Sequence, residues 1–119
     1  MRPLVFISHM EADREVAEWL ARMLRRALNG SLEVFVSSDR KSIQSGEQWQ
    51  TRIEASLKSA KVLLVVCSEE SVRRPWINIE IGASWIRGIP IVPVCITGFR
   101  KRDLTPPIAS FEAADLYEE

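Results

Sequence analysis

One histidine, two cysteines and one tyrosine are all that the 119 residues contain of those types. A lone histidine cannot form half of a histidine pair on a metal. Two cysteines, 28 positions apart, make neither a disulfide framework nor a four-thiolate zinc centre, so no metal and no resident cofactor are expected. Net charge is missing too, since 16 basic residues balance 16 acidic ones. No bulk field therefore draws the chain to nucleic acid or to an anionic membrane, and neutrality favours self-association. No apolar run approaches the ~20 residues that span a bilayer, and no signal peptide precedes the first apolar run. Cys67 and Cys95 both end apolar runs, as small buried hydrophobes in a reducing compartment do. A cytoplasmic location follows as the expectation.

What is present is a regular alternation. Pro3 to Ser8 reads as a short buried strand. From Ala12 to Leu28 the apolar residues Val16, Trp19, Leu20, Met23, Leu24, Ala27 and Leu28 fall on one wide helical face, which places Trp19 and Met23 in the core. Asn29-Gly30 stops that helix. Leu32 to Val36 is a second strand, and the polar segment Ser37 to Trp49 is a long loop running into a helix over Glu47 to Ser59. Ser45 is placed to cap it, and Trp49, Ile53, Leu57 and Ala60 point inward. Val62 to Cys67 is a strand buried on both faces, and Ile89 to Ile96 another, with two prolines that suggest short or edge-proximal pairing. Ser110 to Leu116 completes the series as a short fifth strand. This order predicts an α/β protein of flavodoxin-like, three-layer form, a five-stranded parallel sheet with right-handed crossovers; if its order is 2-1-3-4-5, the strand order reverses between strands one and three.

Between the last two long strands lies a helix, PWINIEIGASWI, in which Glu80 is the only charged residue between Arg74 and Arg87. At 3.6 residues per turn, Trp76, Glu80 and Ala83 share a face, so an indole lies one turn before the carboxylate. A carboxylate among Ile77, Ile79, Ile81 and Ala83 is costly unless it has a task. Ligands of open α/β sheets bind beyond the carboxyl ends of the strands, where strand order reverses. Residues leaving those ends are Ser8, His9 and Met10 after the first strand, and Cys67 and Ser68 after the third. The Trp76–Glu80 face overhangs the same crevice.

Several of these pieces together resemble a Toll/interleukin-receptor (TIR) domain, in particular the bacterial kind. They are VFISH (Val5 to His9), VFVSSD with Ile43 and Gly46-Glu47-Gln48-Trp49, VVCSEES (Val65 to Ser71), Trp76-x-x-x-Glu80 and IPIVPV (Ile89 to Val94), in family order over nearly the whole chain. The acidic residue usual directly after the second strand is displaced, because Ser37 and Ser38 precede Asp39.

The resemblance implies either of two activities. One branch of the family cleaves NAD+ to nicotinamide and an ADP-ribose product with a glutamate that corresponds to Glu80. In that reading Ser8, His9, Met10, Ser38, Asp39, Cys67, Ser68 and Trp76 surround NAD+, which is substrate and not cofactor. The other branch assembles signalling complexes without chemistry. The resemblance further implies TIR–TIR contacts through a loop carrying Arg40, Lys41, Ile43 and Gly46. It implies an N-terminal effector domain excised from a longer protein, with a fused sensor domain and a role in bacterial antiviral defence. Nucleoside deoxyribosyltransferases, which also set a carboxylate at an anomeric carbon, share the architecture but not the Ile43–Trp49 pattern.

Overall fold

The computed structural model describes residues 2–38, 46–104 and 114–115, with the backbone alone at 46–52 and 114–115. Four parallel strands make the body of its sheet: β1 (Leu4–His9), β2 (Glu33–Ser38), β3 (Ala60–Cys67) and β4 (Ile91–Cys95), in the order β2-β1-β3-β4. The helices are α1 (Arg14–Ala27), α2 (Gly46–Ser59) and α3 (Pro75–Ile86). Hydrophobic residues of alternating parity on the strands form two cores. Val5, Ile7, Val66 and Val94 meet α1 on one face, and Phe6, Leu63, Val65 and Cys67 meet α2 and α3 on the other. That is the three-layer, flavodoxin-like arrangement.

Of the expected fifth strand, the described residues show β5 (Ala114–Asp115), which pairs parallel to Val94 and Cys95. The rest of the stretch from Ser110 to Leu116 lies outside the described residues. Pro93 marks this edge of β4. The amide of Ile96 donates to the Cys67 carbonyl, so by alternation the amides of residues 94 and 92 face β3, while the position of Pro93 faces the opposite edge. Proline has no N–H to offer there. The described pairing on that edge, at Val94 and Cys95, lies past it.

The second strand runs two residues further than the sequence suggested. It continues through Ser37 and Ser38 in parallel register with Ser8 and His9 of β1. Ser45 and the loop positions Asp39, Arg40, Lys41 and Ile43 lie outside the described residues, while Gly46 opens α2. Of the inward positions of α2, Ile53 and Leu57 are buried, as is Ala60 at the start of β3.

The expectation for α1 needs correcting. Trp19 and Met23 are not core residues, being 42% and 43% exposed. Ala17 and Ala21 face the sheet instead, flanked by half-buried Val16, Leu20 and Leu24. At about 100° per residue, Trp19 sits nearly opposite Ala21, and the apolar stripe is wider than the sheet can cover. Small residues at the contact let the helix approach closely. The helix ends where expected: Asn29 and Gly30 take positive φ, and the Gly30 amide bonds back to the Arg25 carbonyl.

Helix α3 begins with Pro75 at its first position, where a missing amide costs nothing. The Asn78 side-chain amide donates to the carbonyls of Val72 and Arg74, bracing that end. At the other end Gly88 takes a φ of 75°, and the Ile89 amide reaches back to the Ser84 carbonyl. That six-to-one bond closes the helix. Its buried stripe is Ile77, Glu80, Ile81 and Ser84, spaced i, i+3, i+4, i+7.

Candidate active site

Glu80 thus belongs to the sheet-facing stripe of α3 and not to a polar stripe turned to water. It exposes 0% of its surface, so it lies beneath the crevice rather than open to it. Two hydroxyls meet it. Ser8 Oγ donates to Oε1 at 2.6 Å and Ser37 Oγ donates to Oε2 at 2.7 Å. Both are as short as charge-assisted O–H···O⁻ bonds are. The serines are register partners on adjacent strands. They follow Phe6 and Phe35 by two residues, and so point to the α2/α3 face of the sheet. Phe6 and Phe35 themselves stack with ring centroids 5.3 Å apart. Above the aromatic pair, at the carboxyl end, the same column turns into a pair of hydroxyl donors.

Trp76, one turn before Glu80, is half-buried and packs against the α2/α3-side core. It forms part of the wall that holds this end of the helix on the sheet. Ser84, one turn after Glu80, is wholly buried, and its hydroxyl finds no hydrogen-bond partner among the described residues.

Of the other expected site residues, Ser38 and Ser68 turn to the α1 side of the strand ends. Ser38 points away from Ser37 and donates to Glu11 Oε1 at 2.8 Å. Ser68 donates to Asp13 Oδ2 at 2.9 Å, and its own amide is held by Ser71 Oγ. These bonds pin the 3-10 turn Glu11–Asp13 over the ends of β2 and β3. Arg14 ties the same turn to the helix through Glu11 and Glu18. His9 and Met10 are buried, and the two are linked: His9 Nδ1 lies 2.7 Å from the Met10 carbonyl oxygen. A carbonyl only accepts, so Nδ1 is the donor in this contact.

Cys67 lies beside Cys95 in strand register at the same carboxyl edge. The neighbouring Cys95 thiol, and after it burial, push the Cys67 thiol far above its ordinary range. It stays protonated and offers packing surface, not a nucleophile.

Sequence reasoning found Ser8 and Glu80, which the structure joins, and missed Ser37, which completes the group. The signal was available. Carrying the period of two onward from Phe35 puts Ser37 on the face of Ser8 and sends Ser38 to the other. Ending the strand at Val36 hid it.

A parallel sheet with reversed order at β1, and an acidic side chain on the helix after β3, match what the sequence pieces resemble. The family model of the TIR domain matches residues 5–119. The chain belongs to the TIR family. No curated protein matches the sequence. Members of the family include NAD+-cleaving enzymes, so a glutamate on the third helix of a TIR domain is a candidate for chemistry. In this TIR domain no helix among the described residues is long and apolar enough to cross a membrane.

Proposed function

We propose that this TIR domain is an NAD+ nucleosidase whose catalytic carboxylate is Glu80. The observation that carries the reading is the setting of that carboxylate. It is withdrawn from solvent, and each of its oxygens accepts a short bond from a serine at the carboxyl end of the sheet. Burying a carboxylate is unfavourable even when it is hydrogen-bonded, and an apolar side chain of similar volume would serve stability as well or better. An arrangement that keeps an anion in place at the ligand end of an α/β sheet suits a reaction in which positive charge develops.

Cleavage of NAD+ is such a reaction. The bond between the ribose anomeric carbon and the pyridinium nitrogen breaks, and its electron pair stays with nicotinamide, which leaves neutral. The ribosyl centre becomes cationic, water adds to it, and a proton is released with ADP-ribose. The leaving group needs no acid. The developing cation needs a fixed negative charge, as in glycoside hydrolysis. Glu80, held by Ser8 and Ser37, supplies one without reorganisation.

Glu80 is closed to solvent in the single chain, so NAD+ gains access only when this arrangement opens. Self-association of TIR domains is the opening event that fits, and the isolated domain is then weakly active and concentration-dependent. The expected loop contacts at Arg40, Lys41 and Ile43 belong to this reading. The fused sensor and the part in antiviral defence rest on the family resemblance alone.

The test is nicotinamide release by the wild type and by Glu80→Gln, assembled to the same degree. Loss of one preorganised charge should lower release about a hundredfold or more, with folding unharmed. Equal release by both removes Glu80 from the mechanism.

The scaffold reading draws on a different observation. Ile79, Trp85 and Ile86 stand outward on α3, with Ile86 85% exposed. If neither protein releases nicotinamide under assembling conditions, that outer face becomes the functional surface and the chain a scaffold.

A further inference from the structure

We infer that Ser8 and Ser37 are positioning residues for Glu80, acting as one bidentate clamp made by the register of β1 and β2. The inference rests on the proposed role of Glu80 and adds to it a requirement on residues that no sequence motif singled out as a pair.

The geometry is specific. Ser8 and Ser37 are directly opposite in the β1–β2 ladder. Neighbouring strands stand about 4.8 Å apart, so two serine hydroxyls on one face can each lean toward one oxygen of a single carboxylate lying between them. The observed bonds do this, at 2.6 Å to Oε1 and 2.7 Å to Oε2. The terminal torsion of a glutamate is broad and intrinsically unrestrained. With one oxygen held, the carboxylate could still swing; with both held by different strands, it cannot. The stem is fixed from the helix side by Ile77 and Ile81, one on each side of Glu80 in the buried stripe. Stem and head are therefore set by three elements, α3, β1 and β2.

Both serines are themselves buried, at 0% and 2% exposure, and their hydroxyls are committed to a group 72 and 43 residues away in sequence. A purely structural need for serine there is hard to argue. Without Glu80 the two hydroxyls would be buried in need of acceptors, and without the hydroxyls Glu80 would be a buried charge with its main donors gone. Either all three residues are kept, or an apolar trio would do better. The clamp explains why all three are present: the charge must sit at a fixed point when the ribosyl cation forms, and fractions of an ångström matter there.

A positioning role predicts a loss in turnover and not in substrate capture. In the full chain, assembled to the wild-type degree, Ser8→Ala and Ser37→Ala should each lower kcat for nicotinamide release about tenfold, leaving KM within about twofold. The double variant should approach the loss seen in Glu80→Gln. Adding Ser8→Ala to Glu80→Gln should change kcat little further, because the clamp then has no charge to hold. Ser37→Thr, which keeps the hydroxyl on a β-branched residue suited to a strand, should recover kcat to within about threefold of wild type. If an alanine variant does not fold, Ser8→Cys takes its place, since the thiol fills the space and donates only weakly.

Melting temperatures of all variants accompany the kinetics. Serine variants with wild-type kcat beside an inactive Glu80→Gln overturn the clamp and leave the proposed function standing. So does a loss that merely follows the unfolded fraction. Absence of nicotinamide release from the assembled wild type removes the proposed function, and the clamp as a catalytic device with it.

Discussion

Helix α1 buries Ala17 and Ala21 and turns Glu15, Glu18 and Arg22 to water; α3 buries Glu80 and Ser84 and turns Ile79, Trp85 and Ile86 out. The two helices cover opposite faces of one sheet, under the same demand to pack closely. The first follows the ordinary rule, even though its apolar stripe spills past the contact at Trp19 and Met23. The second reverses the rule at several positions. A helix that served only to cover the sheet would place isoleucine where Glu80 and Ser84 lie and charge where Ile79 and Ile86 lie. The difference separates residues kept for folding from residues kept for something else, and it does so within a single domain.

The comparison breaks most readily at the two apolar members of the α3 stripe. If these carry the helix's attachment, Ile77→Ala should cost about 2–5 kcal/mol of stability by leaving a cavity against the sheet, read as a lowered urea midpoint. A loss under about 1 kcal/mol would mean that Glu80 and its serines hold α3 on the sheet. On the other face, Ala21→Leu should cost about 1–3 kcal/mol through overpacking, since Ala21 is almost wholly buried between α1 and the strands. A tolerated leucine there would show that α1 does not approach as closely as the contact implies.

Smaller effects sharpen the contrast. Ser84→Ala should raise stability by roughly 1 kcal/mol, because it removes a buried hydroxyl that has no partner among the described residues and adds helix propensity. Any destabilisation would reveal a use for that hydroxyl. Least of all, Trp19→Lys should shift the midpoint by no more than about 0.5 kcal/mol, although tryptophan is ordinarily among the costliest residues to lose. A large effect at Trp19 would return α1 to the wide apolar face that its sequence suggests.

Much of the fold could be read from the chain because its strands are continuous β-branched runs, and its helices carry their own stop signals at Asn29-Gly30 and Gly88. Parallel strands followed from that alternation, whereas their order had only been supposed and is seen in the pairing itself. What could not be read depends on contact across elements. Periodicity gives a helix its apolar arc but not the width of surface available to receive it, so Trp19 and Met23 were placed wrongly. A proline announces a missing amide without saying on which edge, and the amide direction at Ile96 was needed to locate it. Glu80 was conspicuous as the one charge in an apolar helix, and Ser8 was found at a strand end. Ser37 became legible only once β2 was seen to continue beside β1, because the clamp exists in the register and nowhere in the sequence as a motif.

Before it folds, the segment that becomes α3 presents a different problem. Its twelve residues include Ile77, Ile79, Ile81 and Ile86 together with two tryptophans, β-branched and aromatic content of the sort that assembles between chains as readily as within one. Arginines stand guard at both borders, Arg73 and Arg74 before it and Arg87 after it, as gatekeepers flank hydrophobic windows elsewhere. Inside the borders only Glu80 interrupts the run with a charge. A charge repeated in every copy opposes the stacking of this window between chains, a consequence of Glu80 that is independent of its place in the folded site.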